Sequence, residues 1–330
     1  MKKWFSLVIM TSLLVLAACG DDNGELDEIV LADADWNSIK VHNAIMQNII
    51  EHGYGYETDT MSGSTANTVQ GLRDGDINVY SEVWTDNIRE VYEEAIDTGE
   101  IIEVSVNFDD NEQGLYVPTY VIEGDEERGI EPLAPGLETV QDLADYPEVF
   151  EDPEDAEKGQ IVNGPSGWAV NETIVEKIEY YGLDEMYNIM SPGSDAALVS
   201  SLASAYESGE PWVGYYWSPT WVTASYDLTL LEDEPFDEEV WQETRGTEFP
   251  PNDVTVAVHE DFPEQAPEVN EFLENYETST ALTEEALVYI LEEDASPEEA
   301  AVYWMELHED LWTDWVPEDV AESVKEELGI

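Results

Sequence analysis

The chain has 330 residues, among them 78 Asp and Glu against only 10 Lys and Arg, which gives a formal net charge of −68 at pH 7. This charge excludes nucleic acid and anionic membrane surfaces as partners, because both would be repelled. The chain is also 42% hydrophobic with 11 Trp, so it has too much apolar surface to bury for a disordered protein. The acids are spread along the whole sequence, which favours solubility in a salty or alkaline medium over a dedicated cation site.

The first residues have the three-part layout of an export signal. Lys2 and Lys3 precede an apolar stretch, residues 4–15, which is too short to span a membrane as a stable helix. Leu-Ala-Ala then leads to Cys19, the only cysteine of the chain. The pattern predicts a lipoprotein signal peptide over residues 1–18, lipidation at Cys19 and an acidic tether over residues 19–28. The protein is therefore expected on the extracytoplasmic face of a bacterial cell membrane, held there by its lipid.

A first unit of alternating strands and helices follows the tether. An apolar run at residues 29–32 predicts a strand, Trp36 comes directly after it, and apolar residues then recur at helical spacing. Gly63 and Ser64 are typical of a helix cap, and the strand predicted over residues 77–84 ends on Trp84.

A second unit repeats this order further along the chain. A strand at residues 160–162 is followed by Trp168 and a helix, then by a cap at Ser194, a helix, and a strand that ends on Trp217. In open α/β sheets ligands lie beyond the carboxyl ends of the strands, where all these tryptophans are placed. Two α/β lobes facing each other would bring four indole rings to one cleft.

The C-terminal region is predicted to contain one strand, residues 254–258, and then mostly helix. Trp304, Trp312 and Trp315 lie among apolar positions at helical spacing, which predicts core packing rather than ligand contact.

No motif for catalysis, for a cofactor or for a metal stands out in the sequence. The turn at residues 164–167 lacks the G-x-S-x-G spacing of a nucleophile elbow, and the acidic run from Asp109 lacks the bidentate Glu of a calcium loop. Paired carboxylates of an enzyme stay possible on this ground alone, because 78 acids form many accidental pairs. Because no complete catalytic, cofactor or metal motif is present, we still expect a protein that is not an enzyme and that has neither a cofactor nor a metal site.

Several indole faces around one point attract a cation that is bulky and weakly hydrated, and a trimethylammonium group fits this description. Each ring contributes on the order of 1–2 kcal/mol in a desolvated site, so three rings support micromolar affinity. Sugar stacking on tryptophan is the competing explanation, and Asn37, Asp86 and Asn87 would serve the hydroxyls.

Five motifs of both units are specific when taken together. They are Asp35-Trp36-Asn37-Ser38, Glu82-Val83-Trp84-Thr85-Asp86-Asn87, Pro165-Ser166-Gly167-Trp168, Pro192-Gly193-Ser194-Asp195 and Tyr216-Trp217-Ser218-Pro219-Thr220-Trp221. Through these motifs the chain, from Ile29 to about Trp315, resembles the glycine betaine and proline betaine substrate-binding proteins of ABC importers.

The resemblance implies an α/β, two-lobed periplasmic-binding-protein fold of type II that closes around its solute. It implies an aromatic cage at Trp84, Trp168 and Trp217, with Trp36 as a further candidate. It also implies that the solute carboxylate is held by the backbone N–H groups of Ala169 and Val170, at a helix start where the dipole favours an anion.

One position departs from the family pattern. Some members place a histidine four residues beyond the first cage tryptophan, where this chain has Ile88, and Asn87 is the expected substitute. This departure leaves the exact solute open.

The expected architecture and function follow from these points. Residues 29–118 form the first part of lobe 1, residues 119–228 form lobe 2, and residues 229–330 return to lobe 1 with the C-terminal helices. The protein is expected to capture glycine betaine, or else choline, carnitine or proline betaine, and to deliver it to an ABC permease driven by its ATPase. A secreted carbohydrate-active lipoprotein is the alternative from another class.

Overall fold

The computed structural model describes Leu26 and residues 28–330. The predicted signal peptide, the lipidation site Cys19 and nearly all of the tether lie outside the described residues. The strands are β1 (Glu28–Asp33), β2 (Glu57–Ser62), β3 (Val79–Trp84), β4 (Ile101–Phe108), β5 (Glu112–Pro118), β6 (Glu151–Asp152), β7 (Asp155–Val162), β8 (Tyr187–Met190), β9 (Gly214–Ser218), β10 (Leu228–Leu230) and β11 (Val254–His259).

Helices connect and cover these strands. They are α1 (Asn37–Ile49), α2 (Thr65–Asp74), α3 (Arg89–Thr98), α4 (Thr119–Glu123), α5 (Val170–Tyr180), α6 (Asp195–Ser208), α7 (Trp221–Ser225), α8 (Glu238–Thr244), α9 (Phe262–Gln265), α10 (Pro267–Glu274), α11 (Thr280–Glu293), α12 (Pro297–Leu307), α13 (Glu309–Trp312) and α14 (Glu318–Leu328). Helix α1 continues into one π-helical turn, Ile50–Tyr54.

The strands form two separate mixed sheets, which define two lobes. The first sheet has the order β2-β1-β3-β11-β4, and the second has the order β10-β5-β9-β7-β6 with β8 paired to β7. The two-lobed α/β architecture expected from the sequence is confirmed.

The repeated unit predicted from the sequence is present in both lobes. In the first, β1 pairs in parallel with β2 and β3, and in the second, β7 pairs in parallel with β8 and β9. Ser64 and Ser194 occupy equivalent positions, because each side chain accepts a hydrogen bond from the backbone N–H three residues on and begins the second helix of its unit. The correspondence places the carboxyl ends of β1, β3, β7 and β9 around one cleft.

Two connections join the sheets. Strands β5 and β10 pair with each other inside the second sheet, so the chain leaves the first sheet between Phe108 and Glu112 and returns to it only between Leu230 and Val254. The lobe boundaries expected at residues 118 and 228 stay a prediction. The pairing of β5 with β10 is not evident from the residues of either strand alone.

The C-terminal tryptophans lie in the core of the first lobe, as predicted. Trp304, Trp312 and Trp315 are buried in one apolar cluster with residues of α1, β1 and β11. Among the described residues, no helix combines the length and the apolar character that crossing a membrane requires.

Candidate functional site: an indole cluster between the lobes

A cavity lies where the two lobes meet. Most of its lining is apolar or aromatic, and neither Lys nor Arg is part of it. It is lined by Trp36, Thr65, Tyr80, Val83, Trp84, Asn87, Ile88, Trp168, Ala169, Val170, Tyr215 and Trp217. We call Trp36, Trp84, Trp168 and Trp217 the indole cluster.

Trp168 lies between two other rings of the cluster and is nearly perpendicular to each of them. Trp36 and Trp168 have ring centroids 5.6 Å apart with 88° between their planes. Trp168 and Trp217 have centroids 5.0 Å apart with 86° between their planes. Both contacts are edge to face, an arrangement that aromatic pairs prefer.

Trp84, the fourth ring, lines the same cavity from the end of β3. Its own ring contact is with Phe108, at 6.0 Å between centroids. The cluster therefore has two rings on each lobe: Trp36 and Trp84 on the first, Trp168 and Trp217 on the second.

The start of helix α5 supplies backbone donors beside the indole cluster. Ala169 precedes the helix, and its N–H donates to Thr65 Oγ1 of the first lobe at 3.4 Å. Val170 is the first residue of the helix, and its amide makes no hydrogen bond to another described residue. Both residues line the cavity, so an anionic group there meets two amides at the positive end of a helix dipole.

Asn87 lines the cavity as well, within the helical turn that follows Trp84. Its Nδ2 donates to Gln113 Oε1 at 3.4 Å, while Asn87 Oδ1 and Gln113 Nε2 are buried and unpartnered among the described residues. A hydrogen-bonding pair thus lies at one side of an otherwise apolar site.

Tyr215 is a cavity residue that the sequence analysis did not single out. Its ring stacks near Trp217, with 5.9 Å between centroids and 14° between planes, and its hydroxyl donates to Gln113 Oε1 at 3.1 Å. Residues two apart in a strand share a face, so a tyrosine two positions before Trp217 was the available signal.

A buried carboxyl group lies behind the rings of the first lobe. Glu82 is fully buried on β3, and its Oε1 accepts hydrogen bonds from Trp84 Nε1 at 3.0 Å and from Ser38 Oγ at 2.9 Å. Burial raises the pKa of Glu82 to about 8, although the donors Trp84, Ser38 and Trp36 act to lower it.

Direct contacts join the two lobes at the cavity. Trp168 Nε1 of the second lobe donates to the Ala34 carbonyl just beyond β1, at 3.1 Å. The N–H of Thr65 donates to the Gly167 carbonyl, also at 3.1 Å. The lobes are therefore closed on each other, and the residues that wall the cavity also hold the closure.

Fold and site together define a two-lobed solute-binding protein with an aromatic site in the cleft between its lobes. The chain belongs to the family of substrate-binding domains of ABC-type glycine betaine transport systems, whose model matches residues 27–307. Members of this family bind substrate outside the cytoplasm and work with the permease components of ABC transporters. The family is one of transport proteins and not of enzymes.

Individual relatives agree with the family. A trimethylamine N-oxide-binding protein of Pelagibacter ubique is 22% identical over 318 residues, which are 95% of this chain and 99% of that protein. Among solved structures, an ABC-transporter choline-binding protein in complex with choline has a TM-score of 0.74 at 22% identity, covering 92% of this chain and 98% of that one. Lactococcal OpuAC, closed and complexed with glycine betaine, has a TM-score of 0.69 at 18% identity, covering 88% and 100%.

Proposed function

We propose that this protein captures a small methylated ammonium solute, with glycine betaine as the first candidate, and is not an enzyme. The observation that carries the proposal is the perpendicular arrangement of Trp36, Trp168 and Trp217 around a cavity that Trp84 also lines. Such rings offer a cation negative faces in a desolvated space, where each contact contributes on the order of 1–2 kcal/mol.

The polar end of the solute lies toward the start of α5 in this proposal. The amides of Ala169 and Val170 receive the carboxylate of glycine betaine, and Asn87 contributes a side-chain amide. Val170 N–H has no other partner in the described chain, which supports this role. Recognition by backbone donors also explains how a carboxylate is bound where no arginine lines the cavity.

The test panel combines the solutes of the relatives described above with carnitine and proline betaine. Glycine betaine, trimethylamine N-oxide, choline, carnitine and proline betaine are titrated calorimetrically into the purified protein, with uncharged sugars as the comparison. We expect micromolar binding of at least one methylated ammonium compound and no binding of sugars. Binding of a sugar alone, or release of products from a glycoside, would overturn the proposal in favour of a carbohydrate-active protein.

The protein is further proposed to be held at the outer face of the cell membrane by a lipid on Cys19 and to pass its solute to an ABC permease powered by an ATPase. Support for the anchor is the export-signal pattern that ends at the only cysteine. Membrane fractionation of cells that express the wild type and Cys19→Ala tests it. The wild type is expected with the membrane and the variant in the soluble exported fraction, and equal distribution of the two would contradict the anchor.

A further inference from the structure

Glu82 accepts the indole N–H of Trp84, a ring of the indole cluster, without lining the cavity itself. It shares one face of β3 with Trp84, and its Oε1 receives the Trp84 indole N–H and the Ser38 hydroxyl. The Trp36 indole lies close enough to act on Glu82 as a donor, yet neither Trp36 Nε1 nor Glu82 Oε2 completes a well-formed hydrogen bond among the described residues. One carboxyl group therefore lies behind both rings of the first lobe.

No positive group of the described chain forms an ion pair with Glu82. Its ionisable neighbours are Tyr80 on the same strand and Tyr276 beyond α10, whose pKa values the Glu82 charge raises further. His42 of α1 bonds Tyr276 at 2.8 Å, and burial lowers its pKa to about 3, so it is neutral above that pH. The charge of Asp33 at the end of β1 also raises the pKa of Tyr80.

A fully buried acid with no cationic partner keeps its proton at neutral pH, because burial penalises the charged form. A quaternary ammonium group over the face of the Trp84 ring lies within about 6 Å of its centroid. At that position it attracts the ionised carboxylate through a poorly screened interior. Ionised Glu82 also acts through the Trp84 ring. An indole that donates its N–H to a carboxylate has a more electron-rich face, and this face attracts the cation more strongly.

We propose that Glu82 is a positioning residue that supplies the counter-charge for the bound cation and loses its proton to the solvent when the solute enters. This inference rests on the proposed function and adds a linkage to it: solute capture is coupled to the release of one proton from the Glu82 carboxyl, and it is therefore favoured by alkaline conditions. The two donors on Oε1 and the spare capacity of Oε2 for Trp36 Nε1 prepare the site to hold the ionised form.

Calorimetric titration of glycine betaine from about pH 6.5 to about pH 9.5, in molar salt and in two buffers of different ionisation enthalpy, tests the linkage. The dissociation constant is expected to fall about tenfold for each unit by which the cation lowers the pKa of Glu82. The buffer dependence of the heat is expected to report proton release that is largest between the pKa of Glu82 in the complex and its pKa in the free protein, and that vanishes above the latter.

Two variants separate Glu82 from other acids. Glu82→Gln keeps an acceptor for Trp84 and Ser38 but removes the titration, so its affinity is expected to be independent of pH with no proton released. Asp195→Asn is the matched control, because burial raises the pKa of Asp195 to about 7, and this variant is expected to keep the pH dependence of the wild type.

A flat dissociation constant with no proton release in the wild type would overturn the inference, even if Glu82→Gln failed to fold. So would a pH dependence that persists in Glu82→Gln. Absence of binding of any methylated ammonium solute at every pH would overturn the proposed function and this inference together, whereas tight binding without pH dependence overturns the inference alone.

Discussion

The indole of Trp168 meets the indole of Trp217 edge to face, with 5.0 Å between their centroids, while its Nε1 donates to the Ala34 carbonyl of the opposite lobe at 3.1 Å. Trp168 therefore forms a wall of the cavity and a contact that closes it. A residue with both roles makes solute binding and lobe closure depend on each other, as expected for a protein that must seal its solute from water.

Replacement of this ring tests the indole cluster. Trp168→Ala is expected to weaken glycine betaine binding by about tenfold or more, because a desolvated ring contributes on the order of 1–2 kcal/mol. Trp168→Phe, which keeps an aromatic face, is expected to lose less. Titration calorimetry on both variants measures the effect, and an unchanged affinity in Trp168→Ala would remove Trp168 from the site.

Trp304 offers a matched control far from the cavity. It is 1% exposed in the core of the first lobe, and its Nε1 donates to the Leu282 carbonyl at 2.8 Å. Trp304→Ala is expected to lower the free energy of unfolding by about 3–5 kcal/mol. The affinity of the folded fraction should be unchanged, as measured by denaturant unfolding beside calorimetry. A loss of affinity equal to that of Trp168→Ala would mean that both act only through stability.

The amides at the start of α5 are tested by a change in selectivity. Ala169 has φ = −59°, which proline can adopt, so Ala169→Pro removes one N–H with little change of backbone angle. We expect a greater loss of affinity for glycine betaine, which has a carboxylate, than for choline, which has none. Ala169→Gly keeps the N–H and serves as the control. Equal losses for both solutes in Ala169→Pro would place the carboxylate elsewhere.

The buried Glu82 makes stability depend on pH in the absence of solute. Its pKa is raised from 4.5 to about 8 in the folded state, so between these values the folded protein holds a proton that the unfolded chain has lost. Stability therefore falls as pH rises through this window and levels off above about pH 8. Relative to the wild type, Glu82→Gln is expected to gain on the order of 3–4 kcal/mol in unfolding free energy between pH 5 and pH 9. Paired denaturant titrations check this, and a constant difference would show that Glu82 ionises normally.

Salt is expected to change the stability of the protein but not its affinity for the solute. The net charge of −68 repels itself across the surface, so the melting temperature is expected to rise with salt. Affinity should change little between low and molar salt, because an enclosed site is poorly screened. A steep loss of affinity with salt would mean that solvent-accessible carboxylates, rather than the enclosed indole faces, hold the cation.

Much of the architecture is predictable from local patterns. Strand ends marked by Trp36, Trp84, Trp168 and Trp217, and the caps at Ser64 and Ser194, are all local signals, and the repeated unit they predict is present in both lobes. Strand β2 was not predicted, because this edge strand is polar and largely exposed and so lacks the alternation of a half-buried strand.

The remaining features depend on contacts between distant residues. The pairing of β5 with β10 joins residues more than a hundred positions apart. The burial of Glu82 was not predicted either, since one acid among 78 has no sequence signal for burial. Tyr215 differs, because its position two residues before Trp217 in a strand is a local signal that predicts a shared face.

The most direct test of the account compares glycine betaine with 3,3-dimethylbutanoate, which has the same shape and the same carboxylate but a carbon in place of the charged nitrogen. Both are titrated into the wild type in molar salt, so that repulsion between the anionic analogue and the acidic protein is screened. If indole faces hold the cation, the analogue is expected to bind at least about a hundredfold more weakly, since several rings at on the order of 1–2 kcal/mol each lose their charge partner. Affinities within a few-fold of each other would contradict the account, because the cavity would then recognise only shape and the carboxylate.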